Sequence, residues 1–339
     1  MKINKNISLY GLLTALSLIT IGISLLIGRY PISVHDLWSA IEDLIHPHHA
    51  PASSIALVLF NIRLPRILAA FLIGGTLSVT GAAFQGMFRN PMVSPSILGV
   101  SAGAGFGAAL AITLGLSSVF QQTLSFTFGI IAVAMVYIIS TLTGKNYSRT
   151  LTLILGGMIV GTVFTALISI LKYVADPENT LPSIVYWLMG GLSHIEFKHV
   201  YFISIIALLG VSLLAFSGWK LDILSFGDEE AKTMGIKVER FRLSIIVIAT
   251  LMTSAAVSIS GIIGWVGLLI PHITRMITGH QNSKMLPMSF LIGGIFLLIV
   301  DNLSRSIANM EIPLGITTSL LGAPFFLYIL LKTSKRQHL

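Results

Sequence analysis

The sequence predicts an all-α polytopic membrane protein with about ten transmembrane helices. Three observations carry that prediction. Of 339 residues, 54% are hydrophobic and only 10% are charged, with a mean hydropathy of +0.89; soluble domains carry roughly 25% charged residues. Apolar runs recur along the chain at the roughly 20-residue length that crosses a bilayer core. Small residues recur at four-residue spacing, as at Gly99, Gly103 and Gly107, which lets helix backbones touch.

The first apolar run, 7–27, follows Lys2 and Lys5. It is longer than the roughly 7–15-residue core of a secretory signal, and no small-residue cleavage site follows, so it reads as an uncleaved span. Further spans are predicted at 64–86, 97–115, 122–143, 151–174, 199–217, 243–262, 265–279, 286–304 and 315–332. The eighth is short, and Pro271 predicts a kink or break in it. The longest loops, near 28–60, 175–198 and 218–242, leave no room for a soluble domain, so 1–339 is one transmembrane domain.

Ten spans put both termini on one side. With the N-terminus inside, the cytoplasmic set holds most of the 21 Lys and Arg residues, and the outer set is Arg29, Arg63, Arg66, Lys172, Lys198 and Arg305. The positive-inside rule therefore places both termini in the cytoplasm. The same distribution accounts for the net charge of +8 through lipid headgroups, with no nucleic acid as partner. Cysteine is absent, which excludes a disulfide scaffold or a Cys-ligated metal but does not identify a compartment.

A short internal match is present. Ser78-Val79-Thr80-Gly81 reaches Pro91 ten residues after its glycine, and Ser258-Ile259-Ser260-Gly261 reaches Pro271 at the same spacing. Five spans apart, the copies would cross the membrane in opposite directions, as in the inverted repeats of transporters. The abundance of small-residue helices in bundles offers a plainer origin.

Several polar groups stand out. Asp228-Glu229-Glu230 suits the start of a short helix and Gly235 its left-handed end, with Leu224, Ala231 and Met234 on one apolar face. A docking element and a solvated amphipathic loop both fit that pattern. Arg63 and Arg66 share a helix face and suit either bidentate carboxylate pairing or headgroup anchoring; Arg305 has Asp301 one turn earlier. In the fifth span Gly157 and Gly161 read as packing residues, and Lys172 fits a path residue or a snorkelled cation equally. Gln85 and Asn90 are expected to satisfy backbone groups freed around Pro91. His46, His48 and His49 read as a solvated loop, because neither a carboxylate nor helical spacing supports a metal site. Gly144 and Lys145 lack the rest of a phosphate-binding loop, so ATP hydrolysis is not expected of this chain.

Five motifs in order give a family resemblance over nearly the whole chain. They are Arg63-Leu64-Pro65-Arg66; Gln85-Gly86-Met87-Phe88-Arg89-Asn90-Pro91 with Pro95 and Leu98-Gly99-Val100; Gly227 to Gly235; Gly264-Trp265-Val266-Gly267-Leu268-Leu269-Ile270-Pro271-His272; and Ile312-Pro313-Leu314-Gly315 leading to Leu321-Gly322-Ala323-Pro324-Phe325. The chain resembles the FecCD-type permeases, the membrane subunits of bacterial ABC importers for iron-siderophore complexes, haem and vitamin B12.

The resemblance implies a type II ABC importer permease in the cytoplasmic membrane. Its implied partners are a second permease (the same chain or a related one), two ATP-binding subunits and an extracytoplasmic substrate-binding protein. It implies no cofactor on this chain; ATP and Mg belong to the partner ATPase. The loop at about 221–237 would be the coupling loop, with Asp228, Glu229, Glu230, Ala231 and Gly235 making or shaping the ATPase contact. Arg63, Arg66 and Arg305 would meet glutamates of the binding protein. Thr150 and Thr152 would lie near an inner gate, Thr165 and Ser169 along the translocation path, and His272 is taken as packing. The cargo implied is an iron chelate, with cobalamin or an oxyanion such as molybdate as the alternative. The rival class, an ion-coupled secondary transporter, needs an intramembrane carboxylate, for which Asp301 is the candidate. A membrane-embedded enzyme lacks any clustered His, Asp and Glu in the spans.

Overall fold

The computed structural model describes residues 2–28, 30–45, 54–143, 148–308 and 310–337. His46, His48, His49, Gly144 and Lys145 lie outside them. The described chain is helical from end to end. α1 (Lys2–Leu26) leads to the amphipathic α2 (Val34–Ile45). α3 (Ser54–Leu57) passes through a π-helical segment, Val58–Arg63, straight into α4 (Leu64–Phe88), a continuous apolar helix of 35 residues. A 3-10 turn, Pro95–Leu98, precedes α5 (Val100–Thr113), which is followed by α6 (Ser118–Thr143) and α7 (Arg149–Val174). The short α8 (Thr180–Leu188) precedes α9 (Phe197–Phe216), and α10 (Gly218–Leu224) and α11 (Asp228–Thr233) form the next connection. α12 (Val238–Ser260), α13 (Val266–Thr278), α14 (Asn282–Ser306) and α15 (Leu314–Gln337) complete the chain.

Among the described residues, seven helices are long and apolar enough to cross a membrane, and three shorter apolar helices, α5, α13 and α15, accompany them. These are the ten predicted segments. Two differ in form from expectation. The third is divided at Gly99, whose φ of +78° joins the 3-10 turn to α5. In the eighth, α13 runs through Pro271 unbroken, and the interruption falls before it, between Gly261 and Trp265.

α4 is apolar around its whole circumference and is the central helix, buried along nearly its full length, as such a pattern requires. It packs most extensively on α14, and α12, α13 and α9 surround it. One core layer gathers Phe84, Met87, Leu221, Leu224, Ile245 and Met285. A second gathers Ile67, Ile73, Ile203, Leu297 and Leu298 toward the other end of α4. α6 and α7 keep much of their surface outside the chain's own core.

Glycines set the closest approaches. A Cβ on Gly103 or Gly107 would stand 2.4 Å from the Phe128 carbonyl oxygen or 2.3 Å from that of Leu124, both on α6, so the predicted packing role holds for these two. At the α4–α13 crossing a Cβ on Gly81 would lie 1.8 Å from the Gly267 oxygen. That neighbour is backbone and cannot swing aside. Gly81→Val is therefore expected to lower the thermal midpoint of the detergent-solubilised protein, by at least the ~1–3 kcal/mol of an overpacked core; an unchanged midpoint would show that the crossing is loose.

A pattern of helix lengths recurs: long, short, long in α4 to α6 and again in α12 to α14. The sequence match that suggested it does not occupy equivalent places. Gly81 lies inside α4, whereas Gly261 ends α12 with φ +67°. Pro91 follows its helix, and Pro271 is inside one.

Candidate functional site

Polar and charged side chains gather at the two ends of the bundle. At the Lys- and Arg-rich end, Asp222 of α10 accepts from the backbone N of Asn282 at 2.6 Å and from its Nδ2 at 2.9 Å, fixing the start of α14. Gly227 then turns the chain with φ +143°, a conformation that L side chains rarely adopt. α11 follows, with Asp228, Glu229 and Glu230 in its first turn, where carboxylates oppose the positive end of the helix dipole. Gly235, at φ +82°, closes it. The helix and both its ends fall where the sequence predicts.

Its faces differ from the prediction. Leu224 and Ala231 are buried, but Met234 points outward with Phe226, Glu229 and Glu230. Lys232 donates to Glu229 at 2.7 Å, which holds its ammonium pKa above the ordinary value. Asp228 turns inward. Both its oxygens accept from Nη2 of Arg242, at 3.1 and 3.0 Å, and Arg89 stands 3.7 Å away. Arg242 is 3% exposed, so Asp228, whose side chain keeps 35% exposure, ties α11 to a buried guanidinium of α12.

The pairing continues sideways. Arg242 Nη1 lies 3.5 Å from Glu239, whose other oxygen is 2.6 Å from Nη1 of Arg149 at the start of α7. Arg149 also donates to the Tyr137 hydroxyl at 3.1 Å and covers its ring. A chain of charges thus runs from α11 through α12 to the α6–α7 pair. Its members Arg242, Glu239 and Arg149 were not singled out from sequence; the three-residue spacing of Glu239 and Arg242 on one helix face was the available signal.

At the far end the three arginines are bound within the chain. None offers a free guanidinium, and Arg63, Arg66 and Arg305 are 4%, 7% and 5% exposed. Arg63 donates to the Leu25 carbonyl at 2.7 Å and to that of Tyr30. Arg66 donates to Asp301 at 2.9 Å and to Glu311 at 3.0 Å. Arg305 lies 3.1 Å from Asp301 and donates to Asn302, which in turn donates to Ser24 at 2.6 Å. The reason is the upstream continuation of α4: residues 54–63 are helical, so Arg63 and Arg66 sit inside a longer helix and not at its mouth. Glu311, unremarked in the sequence, also accepts from Ser193 at 2.9 Å. Backbone bonds from Leu314 to Gly190 and from Gly191 to Ser260 tie the same region together.

Along α7, Thr165 and Ser169 are exposed, each donating back one turn to a carbonyl, at 2.8 and 3.0 Å. Thr152 is buried 3.0 Å from Ser140 of α6. Its hydroxyl clasps two helices, while Thr150 is half-buried beside it. Gln85 donates to the carbonyls of Val93 and Leu268 and accepts from Arg275 at 3.1 Å, and Asn90 accepts from the Met92 N. Both are structural, as expected. His272 packs edge-on to Phe326.

The comparisons with known proteins agree with this architecture. The model of the FecCD transport family matches residues 16–332. The chain belongs to the FecCD transport family. This FecCD permease is 42% identical over 325 residues to the molybdate import system permease protein MolB of Haemophilus influenzae, covering 94% of this chain and 93% of that one. It is 40% identical over 271 residues to the cobalamin import system permease protein BtuC of Halobacterium salinarum, covering 80% and 72%. A solved inward-facing ABC transporter assigned to the metal-chelate type superposes with a TM-score of 0.86 at 41% identity, over 96% of this chain and 98% of that one. The FecCD permease is thus a membrane-embedded, non-catalytic subunit of an ABC importer. Asp301, the one acid considered for ion coupling, is held between Arg66 and Arg305.

Proposed function

We propose that this permease carries an iron chelate inward across the cytoplasmic membrane, paired with a second permease, driven by two ATPases and supplied by an extracytoplasmic binding protein. The basic end, with α11, would face the cytoplasm, as would both termini. Phe226, Glu229, Glu230 and Met234 would form the surface that enters the ATPase, and its closure would tilt the bundle as a rigid body. The observation that carries the cargo assignment is the exposed face of α7. It presents Thr162, Thr165 and Ser169 among Leu155, Ile159, Val163 and Ile170, with no charge between Arg149 and Lys172. A bare dianion is costly to desolvate along such a face, whereas a chelate buries its metal charge among its own ligands.

Molybdate is the second reading, supported by the similarity to the Haemophilus permease. Proteoliposomes holding the permease with its genomic-neighbour ATPase and binding protein test both. ATP-dependent uptake of ⁵⁵Fe-chelate exceeding that of ⁹⁹Mo-molybdate at least tenfold is the expected result, a discrimination of about 1.4 kcal/mol. The reverse order overturns the chelate assignment, and uptake driven by an ion gradient without ATP overturns the importer reading.

A further inference from the structure

α2, at 12 residues, is too short to span a bilayer, which takes roughly 20. It lies where a span ends. Leu25, from the last turn of α1, packs against the cluster of Ile32, Ala40, Ala56 and Leu59. The last two of these belong to the first turns of the continuous 35-residue helix that α4 completes. Arg63 fixes the connection between α1 and α2, donating to the carbonyls of Leu25 and Tyr30. At ~1.5 Å per residue that long helix measures about 50 Å, against a hydrocarbon core of ~30 Å. Its Phe88 end meets the basic end of the bundle, where Arg89 faces Asp228. Its first turns, with α2 packed on them, therefore stand in the headgroup layer of the opposite face.

The apolar side of α2 is only half covered by the chain. Successive side chains advance about 100° around a helix. Leu37 and Ala40 take one part of the apolar arc and pack on the chain. Val34, Trp38 and Ile41 take the adjoining part and are 69%, 70% and 36% exposed. His35, Asp36, Ser39 and Glu42 complete the circumference. The helix start is held by the chain itself: Ser33 N donates to the Asp36 carboxylate at 2.9 Å, and Asp36 N to Ser33 Oγ at 3.1 Å. An apolar arc wider than its protein contact calls for a second apolar neighbour.

Two observations make that neighbour the bilayer interface. The strip continues the exposed apolar surface of the adjoining membrane segments, Ile19 and Ile23 of α1 and Leu57 and Ile62 of the helix beneath α2. Trp38, at headgroup depth, matches the aromatic belt of membrane proteins. The charge on α2 specifies the lipid. It has no Lys or Arg, and it exposes Glu42 beside the strip, so insertion rests on apolar area and not on attraction to anionic headgroups.

We propose that α2 is an interfacial helix, lying along the headgroup layer of a zwitterionic lipid surface with Val34, Trp38 and Ile41 turned into the first acyl carbons. Through the Arg63 bonds it anchors the α1–α4 corner at a fixed depth.

Site-directed spin labelling tests this, because the chain has no cysteine to compete. Val34→Cys, Ile41→Cys, His35→Cys and Ser39→Cys are each labelled in the permease–ATPase complex in phosphatidylcholine nanodiscs. Power saturation compares collisions with oxygen, which concentrates in lipid, and with a water-soluble nickel chelate. The first two labels are expected to favour oxygen several-fold, and the last two to favour the nickel chelate. Equal nickel access at all four puts the strip in water and overturns the proposal. Exclusion of both reagents from the first two also overturns it, assigning the strip to a second protein chain. Trp38 gives a check without labels. Lipid brominated near the headgroup end of its acyl chains is expected to quench wild-type emission more than that of Trp38→Phe. Equal quenching of the two overturns the lipid assignment.

Discussion

Asp301→Asn is expected to remove most of the folded protein. The carboxylate is wholly buried and lies 2.9 Å from Arg66 Nη2 and 3.1 Å from Arg305 Nε. Its loss strands two guanidiniums that are themselves 7% and 5% exposed. Removing one partner of a buried pair costs about 3–5 kcal/mol, a large share of the ~5–15 kcal/mol that holds a typical domain together. Arg66 retains Glu311, at 3.0 Å, so Arg305 is the more exposed to the change. Adding Arg305→Leu to Asp301→Asn should therefore recover part of the loss. Thermal midpoints from fluorescence-detected size exclusion decide the matter. An unchanged midpoint in Asp301→Asn would mean that the network contributes nothing to stability.

Asp228→Asn is expected to separate ATP hydrolysis from transport. The outer face of α11, with Glu229 and Glu230, is untouched, so the ATPase still assembles and turns over. What changes is the grip of α11 on α12, because Arg242 loses the carboxylate that holds it at 3.0 Å. Through Glu239, Arg242 also reaches Arg149 at the head of α7. Coupling free energies between sites of ~1–3 kcal/mol correspond to 5–150-fold effects, so cargo moved per ATP should fall about tenfold or more. Glu229→Lys with Glu230→Lys should instead abolish assembly with the ATPase, read by co-purification. Equal transport per ATP in Asp228→Asn and wild type would show that α11 moves the bundle without this pair.

Much of the fold was legible in the sequence because it is written in local chemistry. Apolar runs of span length, Gly103 and Gly107 for close approach, and the carboxylates before Gly235 act over a few residues, and their elements appear where expected. The helix-length repeat was suggested by a motif whose copies turned out to lie in unlike places, since small residues pack helices at many positions. The partners of the candidate site residues were not legible. Arg63, Arg66 and Arg305 share one end of the bundle, and their guanidiniums bond groups of this chain. Thr152 lies 3.0 Å from Ser140 on the neighbouring helix.

The sequence alone determined the membrane class, the helix order, the short acidic helix that ends before Gly235 and, through five motifs, the family. Those properties depend on composition and on spacing along one chain. Only the tertiary structure decided which charges are partnered. Arg66 meets Asp301 and Glu311 across more than two hundred residues of chain, and Asp228 meets Arg242 across a turn. A buried ion must find its counter-charge wherever packing brings one within about 4 Å, and that distance is a property of the folded bundle.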